Sequence, residues 1–235
     1  MSTRVAVLVS GHMRTFEDCW STWENVCEAN GFTCEYYVHT YDSIDSSSGK
    51  SEDIQEFLNK INPISFAVDN EEEFYKNQVL EVSNALSSLP LYKGRSNWAK
   101  IQSMMFKKNQ LCFNLCKSEN REYDLYVRLR PDIFWAEPFI FQEEVGEKEL
   151  VTVKRGPHNL TDYACDIFGL MKEKTAFHYF NTYETLLDRA TNRSMRRYNA
   201  EVHLGMQMRE NDISITEIDC PGFSLKRTKF FKPKF

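Results

Sequence analysis

A chain of 235 residues, 42% of them hydrophobic and 14% aromatic, is long enough to build one sizeable domain with a packed core. Its net charge of −5 supplies no general basic field for a polyanion, so we expect no nucleic-acid partner. No apolar run reaches the roughly 18 to 20 residues that a membrane span requires. We therefore expect a cytoplasmic protein with no transmembrane segment and no signal peptide.

Strand and helix signals alternate through the first third of the chain, as they do in βαβ units. Apolar runs at 5–9 and 34–39 are typical of strands. Between them, residues 15–27 show helical spacing of apolar side chains, and Thr15 and Asp18 have the spacing of a capping box. A helix at 51–61 and a third strand at 64–68 follow.

The remaining chain continues the α/β pattern. Residues 71–89 are predicted to be helical, and a longer helix begins at residue 96, with a buried face formed by Trp98, Ile101, Met105, Leu111 and Leu115. Strands are predicted at 123–130, 150–153 and 213–218, a mixed strand or turn at 163–171, and helices at 172–189 and 199–211. Because no repeat or linker interrupts the pattern, we predict one α/β domain at 1–225, followed by a basic and aromatic tail at 226–235.

The seven cysteines are odd in number and mostly lie in apolar surroundings. Cys112 and Cys116 are four residues apart on a predicted helix, without the second Cys or His pair of a zinc site. We therefore expect buried free thiols in a reducing compartment.

The most informative segment is the strand at 123–130, which runs directly into a charged loop. Side chains alternate along a strand, so Arg128 and Arg130 share one face with Tyr126. Pro131 cannot continue a central ladder, which places Asp132 in a loop at the carboxyl edge of the sheet. Open α/β sheets bind ligands at that edge. The alternative is an arginine pair bound to neighbouring acids on an exposed strand.

Two other strand ends carry polar residues. Ser10, Gly11 and Arg14 lie between the first strand and the first helix, where backbone amides and a helix N-terminus favour phosphate. A plain tight turn is the alternative. His39 ends the second strand, where it meets a ligand or forms a structural hydrogen bond.

Carboxylates later in the chain are candidates for proton transfer. Asp162 and Asp166 flank an apolar stretch before a glycine, and each suits a general base or a local cap. Glu201 begins a predicted helix, where a carboxylate also suits the helix dipole without any further role.

Four motifs together resemble a known family: Ser-Gly-His-Met-Arg-Thr-Phe at 10–16, Tyr-Val-His-Thr-Tyr-Asp at 37–42, Tyr-Asp-Leu-Tyr-Val-Arg-Leu-Arg-Pro-Asp at 123–132 and Ala-Glu-Val-His-Leu at 200–204. The family comprises GT-A-type glycosyltransferases and glycosyltransferase-like proteins of large DNA viruses and bacterial surface-polysaccharide clusters. The resemblance covers most of residues 5–218. It implies a single GT-A-like domain with a mostly parallel, Rossmann-like sheet flanked by helices, and a location in the host cytoplasm if the source is viral.

The resemblance also implies ligands and residue roles. The donor would be a UDP- or GDP-sugar carrying a hexose or pentose, the acceptor a glycan, glycoprotein or small saccharide, and the cofactor Mn²⁺ or Mg²⁺. Donor binding is assigned to Ser10, Gly11, Arg14, His39, Arg128, Arg130 and Asp132, and catalysis to Asp166, Asp162 and Glu201. The metal ligands would be Asp132 and His203, although the chain has Arg130-Pro131-Asp132 where the family has Asp-x-Asp.

The predicted activity is therefore transfer of a sugar from a nucleotide-sugar donor to a saccharide acceptor. Two alternatives remain from the sequence: a nucleotide-binding α/β enzyme of another class, and a catalytically degenerate protein of the same fold that binds glycans or proteins without turnover.

Overall fold

The computed structural model describes residues 2–43, 54–141, 144–154, 163–191, 199–220 and 223–225. The strands are β1 Thr3–Ser10, β2 Phe32–Tyr41, β3 Ser65–Asp69, β4 Leu125–Leu129, β5 Ile133–Trp135, β6 Glu149–Val153, β7 Phe168–Met171, β8 Ser214–Ile218 and β9 Phe223–Leu225. The α-helices are α1 Phe16–Ala29, α2 Ile54–Ile61, α3 Glu71–Phe74, α4 Leu80–Ser88, α5 Ser96–Ser118, α6 Glu173–Phe180, α7 Thr182–Thr191 and α8 Ala200–Glu210. A π-helical turn at Tyr75–Val79 joins α3 to α4, and a 3₁₀ turn at Pro90–Tyr92 precedes α5.

Seven strands form one sheet in the order β3-β2-β1-β4-β7-β6-β8. All neighbouring pairs are parallel except the two that β7 makes with β4 and β6. Alternate side chains of β1 enter different cores, because successive residues of a strand face opposite sides. Helices α1 and α2 cover one face, whereas α5, α6 and α8 cover the other. The predicted α/β architecture, with a mostly parallel sheet flanked by helices, is confirmed.

Most predicted elements are present, but several differ. The single helix predicted at 172–189 is divided at Asn181 into α6 and α7. Residues 71–89 are helical but contain the π turn, and the mixed segment at 163–171 becomes a strand only from Phe168. The antiparallel ribbon of β5 and β9 was not predicted. The capping box was wrong, because the Thr15 side chain forms no capping hydrogen bond with the first turn of α1. The predicted N-terminal turn of α2, the residues around 155–162 and the tail at 226–235 lie outside the described residues.

The predicted buried face of α5 was wrong, and its members Met105, Leu111 and Leu115 are only partly buried. Trp98 is 49% exposed and Ile101 is 56% exposed. The helix instead buries polar side chains, among them Gln102, Lys108 and Asn109. These side chains find hydrogen-bond partners in neighbouring elements, which removes much of the free-energy cost of burying them.

The prediction of free thiols throughout was also wrong. Cys27, near the end of α1, forms a disulfide with Cys34, near the start of β2, because the short turn between the two elements brings them together. The other five cysteines are free thiols, and four of them are buried.

The described helices include none that combines the length and hydropathy needed to cross a bilayer.

A second group of helices packs beside the sheet, where α4, α7 and the first half of α5 share a small core around Leu86, Tyr92 and Phe106.

Candidate functional site

The loop between β1 and α1 is shaped by two residues with positive φ. Gly11 has φ of 108°, and its N–H donates to the carbonyl of His39 at 3.1 Å. Thr40 Oγ1 donates in turn to the carbonyl of Gly11 at 2.9 Å. Arg14 has φ of 43°, a left-handed conformation that is uncommon for a residue other than glycine. This turn directs the Arg14 side chain toward the end of β4.

Asp132 lies at the centre of an arginine cluster at that end. Arg130 places Nε 2.7 Å from one carboxylate oxygen and Nη2 2.8 Å from the other. Arg14 Nη1 contacts the second oxygen at 3.2 Å. The sequence therefore predicted correctly that these loops lie at one edge of the sheet. Its expectation that Asp132 is not a core residue was wrong, because the side chain is fully buried within its turn.

The charge state of this cluster follows from its contacts. Burial alone would raise the pKa of Asp132, but the adjacent Arg130 and Arg14 outweigh burial and lower it. Burial opposes the charge of Arg130 as well, and Asp132 more than compensates, so the pKa of Arg130 is raised. The cluster is therefore ionised at neutral pH.

Arg128 lies beneath this cluster and is 1% exposed. Its guanidinium donates to the carbonyl of Leu129 at 2.9 Å and to the carbonyl of Ser10 at 3.2 Å. Burial lowers its pKa. Because it connects the carboxyl ends of β1 and β4, Arg128 positions the two loops that carry Arg14 and Arg130.

A second polar cluster lies under the ends of β1, β2 and β3. Ser10 Oγ donates to Asn109 Oδ1 at 2.6 Å. Lys108 Nζ donates to the carbonyl of Thr40 at 2.5 Å and to Asp69 Oδ2 at 2.7 Å. Burial lowers the pKa of Lys108 to about 8. The sequence analysis missed Lys108, Asn109 and Asp69. Lys108 and Asn109 are polar residues among the apolar residues of a long predicted helix, and that pattern could have indicated them.

His39 joins this second cluster and is buried. Its Nε2 lies 3.7 Å from Asp69 Oδ2. Burial, together with the nearby charge of Lys108, lowers the pKa of His39 to about 4. The ring is therefore neutral at pH 7, and it lies below the strand ends together with Lys108.

The candidate catalytic acids approach the arginine cluster from the other side. Arg130 N–H donates to the carbonyl of Ile167 at 2.9 Å, which holds the neighbouring Asp166 against the end of β4. Asp166 is 8% exposed and interacts electrostatically with Arg128 and Arg130. Ala164 N–H donates to the carbonyl of Glu201, so the start of α8 meets the same segment. Asp162 lies outside the described residues.

The two predicted metal ligands belong to different surroundings. The carboxylate of Asp132 contacts two guanidinium groups, whereas His203 is fully buried with Nε2 2.9 Å from the hydroxyl of Tyr92. Burial lowers the pKa of His203 to about 3. Within the described ranges, no three His, Cys, Asp or Glu side chains lie together as a metal site requires. The residues present do not fit a divalent metal held by Asp132 and His203.

No family model matches this chain, and no curated protein matches it either.

Proposed function

We propose that the protein is a glycosyltransferase that moves a sugar from a nucleotide-sugar donor to a glycan or other saccharide acceptor. The observation that carries this proposal is the pairing of Arg14 and Arg130 on either side of one buried carboxylate, at the carboxyl edge of a mostly parallel sheet. Such an edge is where α/β sheets bind nucleotides.

The cluster suits a diphosphate. Arg14, Arg128 and Arg130 bring three positive charges, against which Asp132 and Asp166 bring two negative charges. Arg14 is the most accessible of the three, with 32% of its side chain exposed, and it can exchange Asp132 for a phosphate oxygen. The N-terminus of α1 follows immediately and also favours an anion.

Glycosyl transfer requires the leaving diphosphate to be stabilised as the bond to the sugar breaks. Guanidinium groups held in a partly buried site can supply this stabilisation, because they offer paired N–H donors to phosphate oxygens. We assign this task to Arg14 and Arg130. The metal expected from the family resemblance has no step in this scheme.

The second requirement is removal of a proton from the acceptor hydroxyl as its oxygen bonds to the anomeric carbon. A carboxylate within hydrogen-bond reach can take that proton. Asp166 is our candidate, with Glu201 and Asp162 as the other two, because Asp166 lies next to the arginines proposed to hold the leaving group.

Affinity for nucleoside diphosphates tests the donor site. A ligand present at 100 times its dissociation constant stabilises the folded state by about 2.7 kcal/mol, so UDP or GDP should raise the melting temperature. In calorimetry, Arg14→Ala should weaken binding by about 1.5 to 3 kcal/mol, the value of a hydrogen bond to a charged group.

Arg4→Ala is the matched control. Arg4 is an arginine of β1 that pairs with Glu35, near the end of the strand opposite to the Arg14 loop. Equal affinity of the parent and Arg14→Ala, or an equal loss in Arg4→Ala, would remove the proposed donor site.

Binding without turnover is a second candidate function, and the ion pairs that Asp132 forms with Arg14 and Arg130 favour it. Hydrolysis of UDP- and GDP-sugars distinguishes the two. A protein that binds these compounds and releases no free sugar over long incubation, with or without Mn²⁺, is a binding protein.

A further inference from the structure

The central sheet ends in two edge strands, β3 on one side and β8 on the other. Within the described ranges, no strand pairs with the outer side of either one. An open edge presents backbone N–H and C=O groups to other strands, and proteins commonly protect such an edge with a charged side chain or a proline. The two edges of this sheet differ in that protection.

The backbone of β3 faces β2 and the open edge at alternate residues. The N–H of Asp42 donates to the carbonyl of Asp69 at 2.9 Å, so the backbone of Asp69 faces β2. Because this direction alternates along a strand, Ala67 faces β2 as well. The N–H and C=O groups of Phe66 and Val68 therefore point to the open edge.

The same two residues expose apolar side chains. Phe66 is 44% exposed and Val68 is 40% exposed. They are two positions apart on the strand and so share one face of the sheet. The charged residue of β3 is Asp69 at its end, where the carboxylate accepts from Lys108. The centre of β3 is therefore an apolar edge without a charged side chain or a proline.

Strand β8 carries the protection that β3 lacks. The N–H of Ser214 donates to the carbonyl of Lys148, so Ser214 faces β6 and the backbone groups of Ile215 and Glu217 point to the open side. Glu217 is exposed and places a carboxylate on that edge. Since a charge there opposes pairing with a further strand, β3 is the edge suited to a partner.

We propose that β3 pairs in antiparallel orientation with β3 of a second copy of this chain, about a two-fold axis at Ala67. In this register, Phe66 lies opposite Val68 of the other copy, and each such pair exchanges both of its backbone hydrogen bonds. An aromatic side chain opposite a β-branched one is a favourable cross-strand pair. The edge is thus complementary to itself, as a two-fold interface requires.

The charges near β3 favour a second copy in this orientation. Antiparallel pairing places Asp69 opposite Ser65, whereas a parallel pair in the same register would place Asp69 opposite Asp69, and like charges in that position destabilise a sheet. The end of β3 leads into the three glutamates of α3, and its start follows Lys60 in the last turn of α2. Antiparallel pairing therefore brings the acidic end of one copy beside the basic end of the other.

Sedimentation velocity over a concentration series tests the pairing. A single strand of five residues forms a small interface, so we expect a dimer that dissociates on dilution. Val68→Lys should raise the dissociation constant of the dimer by at least about ten-fold, because the charge enters the edge in both copies. Val68→Pro should have the same effect, since the N–H that proline lacks points away from β2.

Phe177→Lys is the control, because Phe177 is 57% exposed and belongs to α6, which packs against β4 in the middle of the sheet. This variant should dimerise as the parent does. Circular dichroism and the melting temperature establish that each variant is folded. A parent that stays monomeric throughout the series, or a folded Val68→Lys variant that dimerises as well as the parent, overturns the proposal.

Cross-linking tests the register. The backbone groups of Ala67 face β2, so the two copies of this residue form a non-hydrogen-bonded pair with Cα atoms about 4.5 Å apart, a distance that a disulfide can span. Under oxidised glutathione, Ala67→Cys should form an intermolecular disulfide that is visible in non-reducing electrophoresis, and the parent gives the background from native thiols. Ser65→Cys lies opposite Asp69 and should cross-link much less. Equal cross-linking of the two variants, or none above background in Ala67→Cys, overturns the two-fold axis at Ala67.

Discussion

The buried carboxylate of Asp132 contributes both to the stability of the fold and to the proposed site. Asp132 lies in the turn after β4, yet its side chain is fully buried and forms ion pairs with two guanidinium groups. Removing one member of a buried ion pair leaves an uncompensated charge, which is more damaging than losing the whole pair. The residue therefore supports the fold as well as the proposed chemistry.

We predict that Asp132→Asn lowers the free energy of unfolding by about 3 kcal/mol, because Arg130 keeps its charge without its closest partner. Urea unfolding measures the change. The same variant should retain affinity for UDP or GDP, since the loss of a negative charge leaves the arginines available, and it should transfer little or no sugar.

Asp124→Asn is the corresponding control at the other end of β4, where the carboxylate accepts from the N–H of Arg4 in an exposed position. A loss of stability as large in Asp124→Asn as in Asp132→Asn would mean that the arginine cluster has no special role. Full transfer activity in Asp132→Asn would exclude it from the reaction.

Single substitutions can also identify the residue that accepts the proton from the acceptor hydroxyl. Asp166→Asn should lower sugar transfer by at least about 100-fold, the usual contribution of a general base, while calorimetry with UDP or GDP shows unchanged donor binding. Glu201→Gln serves for comparison, because Glu201 lies in the helix that meets the same segment. A larger loss in Glu201→Gln would transfer the role to that residue.

At the scale of elements, β4 was predictable and α5 was only partly so. Alternation of side chains in β4 is a local property, so the sequence predicted which residues face which core, and Pro131 marked the end of the strand. Helical spacing also predicted that α5 exists. Its buried face was misassigned, because α4 and α7 pack against its first half and bury Ala99 and Phe106, which no local pattern reveals.

The residues of the candidate site were also predictable only in part. The sequence predicted the charged strand ends, but it could not show that Arg14 and Arg130 bind the same carboxylate, because the loops that carry them are joined only through the fold. The partners of Lys108 were missed for the same reason. A lysine in a helix normally lies in solvent, and only the ends of β2 and β3 make its burial possible.

Stability of the whole molecule should depend on pH through its buried histidines. The pKa values of His39 and His203 are lowered to about 4 and about 3, from about 6.5 in an unfolded chain. Below pH 6.5 the unfolded state therefore binds protons that the folded state does not. This contribution to stability is complete above pH 6.5 and is lost as the pH falls toward the folded-state pKa values.

We predict that each of these histidines lowers the free energy of unfolding by about 1 kcal/mol between pH 7.5 and pH 5.5. Urea titrations at the two pH values measure the sum, and His203→Gln should remove about half of the fall. Equal stability of the parent at both pH values would show that neither ring is held neutral by the fold.

The pairing of β1 with β4 has a consequence for how the molecule assembles. Arg14 and Asp132 are 118 positions apart in the chain, and the strands before them are neighbours in the sheet. Closing a loop of that length carries an entropic penalty of about 4 kcal/mol, which must be met before the contacts it permits can form. A nascent or refolding chain therefore has no anion site until β4 pairs with β1. The rate at which nucleotide affinity returns during refolding would measure the rate of that pairing.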